Sequence, residues 1–430
     1  MINKNKKLYR FILLFFISIF FVFAFFLPIS FDELKWKSFW FFWKINPMYP
    51  AFADIYIFSS ALETISLGKN PYLDNIADPW NRSFNYPPIW LYIANLFSLD
   101  NNYSIIYFGL IINSIFIFSL LNLFFRKKFS IKIFFLLMPL FFSSSFLKSL
   151  ERGQIDLLII SISFLTLIYI KRKNVIGFIF LCLSILKLYP IIVVVFEIIK
   201  KGEKHTYFLL IIFISYLVLI HDKILLIIKN TPVSSINSFG FQSLNKALNE
   251  TGISNFFNFY ELNFITIFLF IFFVLFLCFK LFKKKFLISN KSSNQKLIEE
   301  KEIFLVSSLI FLSLFILLSN YDYRLLFLFG TIPYYISLRN KKKFILFYFL
   351  FFLSLNYGLS SLFELSFNPP NFSGELSNLN SNVIEKFIAK DSINLNLSHL
   401  SKYALFLFVL NDFIEECKPI IFKKLKLFFK

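Results

Sequence analysis

The sequence predicts an all-α polytopic membrane protein of about twelve transmembrane helices, with a long external first loop that carries interfacial helices. Three observations predict it. Apolar runs of about 17 to 23 residues recur along the chain, the length that crosses a bilayer core, and the 430 residues are 57% hydrophobic and 21% aromatic. Lys and Arg fall in short clusters between those runs, as they do in cytoplasmic loops. No hydrophilic stretch reaches the size of a soluble domain. The formal charge of +20 would point to nucleic acid in a soluble chain, but clustering between apolar runs excludes that partner. Phe, Ile, Lys and Asn are also favoured by AT-rich codons, so single Phe or Lys positions carry little meaning.

The elements follow in order. Lys4, Lys6, Lys7 and Arg10 precede FILLFFISIFFVFAFF, which resembles a signal sequence, yet LPISFDELKW after it offers no small-residue cleavage site. The first helix, near 11–28, is therefore expected to stay, with its N-terminus in the cytoplasm. Residues 29–102 form the external first loop, in which YPPIWLYIANLFSL (86–99) is too short to span and reads as an interfacial helix. Spans near 103–125, 131–147 and 154–170 place RKK (126–128) and KRK (171–173) inside. The stretch 174–199 has KRK before it and Lys200, Lys201 and Lys204 after it. A single crossing there would send every later basic cluster outside, whereas a re-entrant hairpin of helices 174–186 and 189–199 keeps them inside. The hairpin would turn at KLYP, where Pro190 lacks a backbone donor and disfavours helix at the residue before it.

Further spans are expected near 205–222, 263–282, 303–319, 321–338, 344–363 and 402–416. They leave external loops 223–262 and 364–401, a cytoplasmic linker 286–302, and both termini inside. No internal repeat is visible.

Lys187 raises the central question. Between Val175 and Ile199 the only charges are Lys187 and Glu197, and a charge at mid-membrane depth costs about 2.5 to 3.5 kcal/mol. Broken backbone at that depth is tolerated only inside protein or beside a polar cavity, so Lys187 is expected to face a cavity. Other charges stand at outer helix ends: Asp54, Lys148, Glu151, Arg152, Asp322 and Arg324. Walker A, GxGxxG, HExxH and DxD patterns are absent, and His205, His221 and His399 lack metal-ligand spacing. Cys182, Cys278 and Cys417 lie far apart in or beside apolar runs and read as buried thiols, without a disulfide framework or thiolate metal site.

An ordered set of motifs runs through residues 50 to 200. Asp54 lies on a helix after the first span; GKNPY (68–72), YPP (86–88) and GQ (153–154) follow, with Asp156 two positions beyond the Gln, then a Gly and LKLYP (186–190) one helix later. In order and spacing this set resembles glycosyltransferase family 87, polyprenol-phosphate-mannose-dependent alpha-mannosyltransferases with the GT-C membrane fold. Weaker echoes are FQSLNKAL (241–248) and NYDYR (320–324). Asp156 stands where the family commonly has Asn, and FQSL replaces the usual NQSL. The resemblance implies a GT-C-like bundle in a bacterial inner membrane, facing outward. It would move a hexose such as mannose, with inversion, from a polyprenyl-phosphate donor to a glycan or lipid-linked acceptor. Gln154, Asp156, Tyr189, Gln242 and Asp322 would be further substrate contacts. No cofactor beyond the lipid-linked donor is expected, and no divalent metal is implied.

The residues support that chemistry independently. Attack by an acceptor hydroxyl needs a base, for which Asp54 is the candidate. Negative charge grows on the departing lipid phosphate, and Lys187, Arg152 and Arg324 are the candidate cations. Structural readings compete with each: Asp54 capping a loop helix, Arg152 paired with Glu151, Arg324 with Asp322, Lys187 snorkelling to an interface. Glu63, Asp74 and Asp78 read as solvated loop charges, and Gly68–Tyr72 and Tyr86–Pro88 as shapers of the loop. Two other functions stay open. A polysaccharide polymerase or ligase would carry Arg-rich external loops, and a secondary transporter or lipid flippase would use Lys187 at a helix break.

Overall fold

The computed structural model describes residues 2–26, 32–43, 45, 47–125, 130–201, 204–231, 238–240, 295–317, 320–338, 340–356 and 401–417. The expected span 263–282, Gln242, Cys278 and nearly all of the loop 364–401 lie outside the described residues. Within them the regular structure is helical, apart from a two-residue ladder that pairs Ser238 and Phe239 antiparallel with Tyr321 and Asn320. The first helix is α1 (Ile2–Phe26); the first loop holds α2 (Glu33–Phe42), α3 (Ala53–Ser66) and α4 (Ile89–Leu96). Then come α5 (Asn102–Phe125), α6 (Ile131–Phe141), α7 (Ser144–Arg152), α8 (Ile155–Tyr169), α9 (Lys173–Leu186), α10 (Ile191–Lys201), α11 (Lys204–Leu219) and α12 (His221–Asn230).

Packing sorts the helix ends into two sets. Phe11 in the first half of α1 packs on Phe118 of α5 (ring centroids 4.9 Å) and on Tyr169 at the end of α8 (6.0 Å), while Phe26 at the far end of α1 meets Phe52 beside α3. The first set is basic. Here Lys171 reaches Glu299 and Lys200 reaches Glu302, and Lys301 and Lys343 pair with Glu416 and Asp412 of the helix 401–417. The second set gathers the start of α3, the start of α8 and the end of α9.

The segment expected to form a hairpin turns back on itself. A Cβ on Gly177 of α9 would lie 3.1 Å from Leu209 of α11, and Tyr216 of α11 donates to the Ile185 carbonyl at 3.3 Å. Both contacts advance in the same direction, so α9 and α11 are parallel and the chain returns along α10. The break falls at residues 187–190, where Pro190 stands.

Among the described residues one helix, α5, is long and apolar enough to cross a membrane, or up to three spans exist if the bent pairs α6–α7 and α11–α12 each count as one. Twelve spans of full length are thus not what the described residues hold, and the reasons are local. The expected span 131–147 bends by 66° between α6 and α7, after Pro139, which removes a helical hydrogen bond, and at a run of three serines, weak helix formers. Helices α8, α9 and α10 have 15, 14 and 11 residues, and at 1.5 Å per residue even the longest rises only about 22 Å.

Downstream boundaries also differ. The helix Gln295–Leu317 takes in the end of what reads as a polar linker, because Glu299, Glu300, Lys301 and Glu302 occupy a helix end where Glu299 and Lys301 find partners. The expected span 321–338 is a ten-residue 3₁₀ helix, Asp322–Thr331, continued by Ile332–Ser337. Such a run is long for this geometry. It lies at the centre of the bundle, where Phe329 packs on Phe124, Phe141, Phe146 and Phe351, and Gly330 sits where any Cβ would collide with Ser307 and Phe164.

Candidate active site

Asp54 owes its position to an unusual start of α3. Phe52, the residue before the helix, adopts φ 60°, a left-handed conformation that a bulky residue holds only when packing enforces it. Its ring fills the space above Gly109 of α5, where a Cβ would come within 2.5 Å of it. Gly153, itself at φ 62°, ends α7 and leads into Gln154. The chain is thereby bent so that Asp54 and Gln154 meet: the Gln154 amide Nε2 donates to Asp54 Oδ2. The other oxygen, Oδ1, accepts from Arg82 Nη1 at 2.9 Å.

Arg82 is itself tightly held. Its Nη2 donates to Asp78 Oδ1 (2.9 Å) and to the Ala53 carbonyl (2.7 Å), and its Nε to Asp78 Oδ2 (3.1 Å). The guanidinium lies 4.6 Å from the Trp80 ring centre. Burial opposes its charge, but its hydrogen bonds to Asp78 and the charge of Asp54 outweigh that and raise its pKa above the ordinary arginine value. Asp78 also accepts the backbone N–H groups of Trp80 and Arg82. It is buried, so its reading as a solvated loop charge is corrected; Glu63 and Asp74 are exposed as expected.

A second carboxylate, Asp156, gathers cations. It lies fully buried in the first turn of α8, where unpaired helix N–H groups favour negative charge. It accepts Lys187 Nζ at 2.5 Å, the Tyr189 hydroxyl at 2.7 Å and Arg324 Nε at 3.3 Å. Lys187, at the end of α9, also stands 4.9 Å from the Tyr86 ring centre, and Trp90 Nε1 donates to the Leu186 carbonyl beside the break at 2.9 Å. The apolar surroundings of Lys187 are thus offset by Asp156, through an ion pair. Burial first, then the charges of Asp54 and Asp156, push the Tyr86 phenol well above its ordinary pKa; this tyrosine feels both carboxylates.

The remaining candidates divide. Arg152 pairs with Glu151 at 2.8 Å, the structural alternative foreseen, and Glu151 also accepts the Met48 N–H. Arg324 does not take Asp322 as its partner. Asp322 instead pairs with Lys402 at 2.7 Å, both buried, because Lys402 of the helical stretch 401–417 lies beside the 3₁₀ segment. Arg82 and Lys402 were missed. Asp78 and Arg82 lie four residues apart in a turn and not on a helix, so the spacing alone does not mark a pair; nothing local flags Lys402. Tyr72, from GKNPY, donates to the Tyr86 carbonyl, so these two motifs brace each other as loop shapers. Cys417 is buried, but Cys182 is exposed on α9, against expectation, since an apolar run has an outer face too. Among the described residues no group of three or more His, Cys, Asp or Glu side chains could hold a metal.

The arrangement offers a carboxylate with a lone pair to spare beside a neutral amide, and a neighbouring site where two cations share one carboxylate. Comparisons with protein-family models, curated proteins and solved structures return no match.

Proposed function

We propose that this chain is a membrane glycosyltransferase with a GT-C-like bundle of about twelve helices, its short helices crossing as a packed group. The observation that carries the reading is the convergence of the motif residues: Asp54 joins Gln154, and two positions on, Asp156 joins Lys187, Tyr189 and Arg324. These residues are dispersed over four stretches of sequence and meet at one end of the bundle, the end away from the basic clusters. With basic clusters inside, that end faces the periplasm.

In this reaction the acceptor hydroxyl attacks the anomeric carbon of a hexose, such as mannose, carried on a polyprenyl phosphate. The O–H proton passes to Asp54, the hydroxyl oxygen forms the new bond to carbon, and the old bond leaves with its electron pair on the phosphate oxygen. Configuration inverts. Lys187 and Arg324 share Asp156, so this cluster carries one positive charge in excess, which a singly charged lipid phosphate ester would balance. Gln154 Oε1 is buried with no hydrogen-bond partner among the described residues, a place for a second, non-reacting hydroxyl of the acceptor to donate.

The deciding experiment is transfer of label by the purified protein from radiolabelled polyprenyl-phosphate sugars, wild type against Asp54→Asn. Wild-type transfer that the variant lacks supports the reading. Products that lengthen by repeated addition would favour the polymerase alternative, and movement of lipid across vesicles without transfer would favour the flippase.

A further inference from the structure

We infer that Arg82 is a positioning residue for Asp54: clasped by Asp78, its guanidinium takes up Oδ1 and presents Oδ2, on the Gln154 side, to the acceptor. The inference rests on Asp54 being the base. Arginine has five N–H donors, and four of those of Arg82 are committed, two to Asp78, one to Ala53 and one to Asp54. Little remains with which to bind a substrate phosphate. What the clasp does is orient. The planar fork is fixed at two points on Asp78, Trp80 covers a face, and Asp78 is itself tied to the backbone of residues 80 and 82. A carboxylate bound by a guanidinium on one oxygen and by a neutral amide on the other is unequal in its two oxygens. The amide-bound Oδ2 holds its lone pairs less tightly and is the one that takes up a proton. That proton comes from the acceptor O–H, whose oxygen forms the glycosidic bond as the phosphate departs.

The competing explanation is that Arg82 only closes the first loop, since its carbonyl also accepts from Asn75. A double-mutant cycle separates the two. The assay follows label from radiolabelled polyprenyl-phosphate mannose to octyl mannoside. Arg82→Gln should lower kcat about 10²-fold, as misplacement of a reacting group does, and leave the KM for donor within about twofold, because the donor cations lie elsewhere. In protein already carrying Asp54→Asn, the same change should lower the residual rate no further. Arg82→Lys, which keeps charge without the fork, should restore about a tenth of the wild-type rate. If Arg82→Gln protein is recovered poorly, Asp78→Asn, which loosens the clasp, replaces it in the cycle. Equal losses in both backgrounds, or a change confined to donor KM, would overturn the inference while leaving the base assignment intact. Full activity of Asp54→Asn alone would overturn both.

Discussion

At the basic end of the bundle Lys171 reaches Glu299 across 2.8 Å with its side chain 62% exposed, whereas at the site end Lys187 reaches Asp156 across 2.5 Å with the carboxylate wholly buried. The bonds are of similar length; their surroundings are not. An exposed pair contributes about 0 to 1 kcal/mol, being screened by water and ions. A buried pair bears desolvation on both partners, and apolar side chains of similar volume often join helices as well or better. Charge at the basic end is accounted for by topology and solvation alone. Charge at the site end is more than packing requires, and the surplus is concentrated on the motif residues.

Side matters first. In protein with Cys182, Cys278 and Cys417 changed to Ser, Glu63→Cys on the first loop should react fully with an impermeant thiol reagent from outside. Lys171→Cys, exposed at the basic end, should react only after the membrane is opened. The reverse result would exchange the two ends and remove the site from the outer face.

The next largest effect is on chemistry. Asp54→Asn keeps shape and should lower transfer by about 10² to 10⁴ with protein abundance unchanged. If abundance falls with rate, Asp54 belongs with the buried structural charges instead.

Stability distinguishes the ends next. Asp156→Asn strands both Lys187 and Arg324 and should cost about 3 to 5 kcal/mol. Lys187→Met strands nothing, since Arg324 still meets Asp156, and should cost less while abolishing donor binding. The double variant should recover part of the loss caused by Asp156→Asn. Thermal melting of the three variants in detergent checks the order, and unchanged donor binding by well-folded Lys187→Met would remove the phosphate role.

The smallest effect is expected at the basic end: Glu299→Gln should change stability by no more than about 1 kcal/mol and leave transfer alone. A larger loss would mean the two ends differ less than their exposure indicates.

Much of this was legible from residues. Basic clusters at 171–173 and 200–204 foretold the return of the chain at KLYP, and hence the parallel course of α9 and α11. Asp54, Gln154, Asp156, Lys187 and Tyr189 were legible as a set. Arg82 was not, because a single arginine in a polar loop looks like any solvated charge until its partner's burial is known. The bend after α11 was illegible for a related reason: composition alone measures apolar length and not the direction in which successive turns pack.

By itself the sequence determined most of the helical segments, which ends carry the basic clusters, and which dispersed motif side chains belong to the candidate site, because helical periods, apolar length and charge bias are local properties of a chain. Only the tertiary structure decided which charge answers which. Lys187 falls to Asp156, Arg324 to Asp156 rather than to its neighbour Asp322, and Asp322 to Lys402. Each choice joins residues 31 to 168 positions apart. Where a side-chain charge is buried, its partner is set by whichever helix end arrives within about 3 Å, since a partner only slightly farther away leaves the charge desolvated and unbonded.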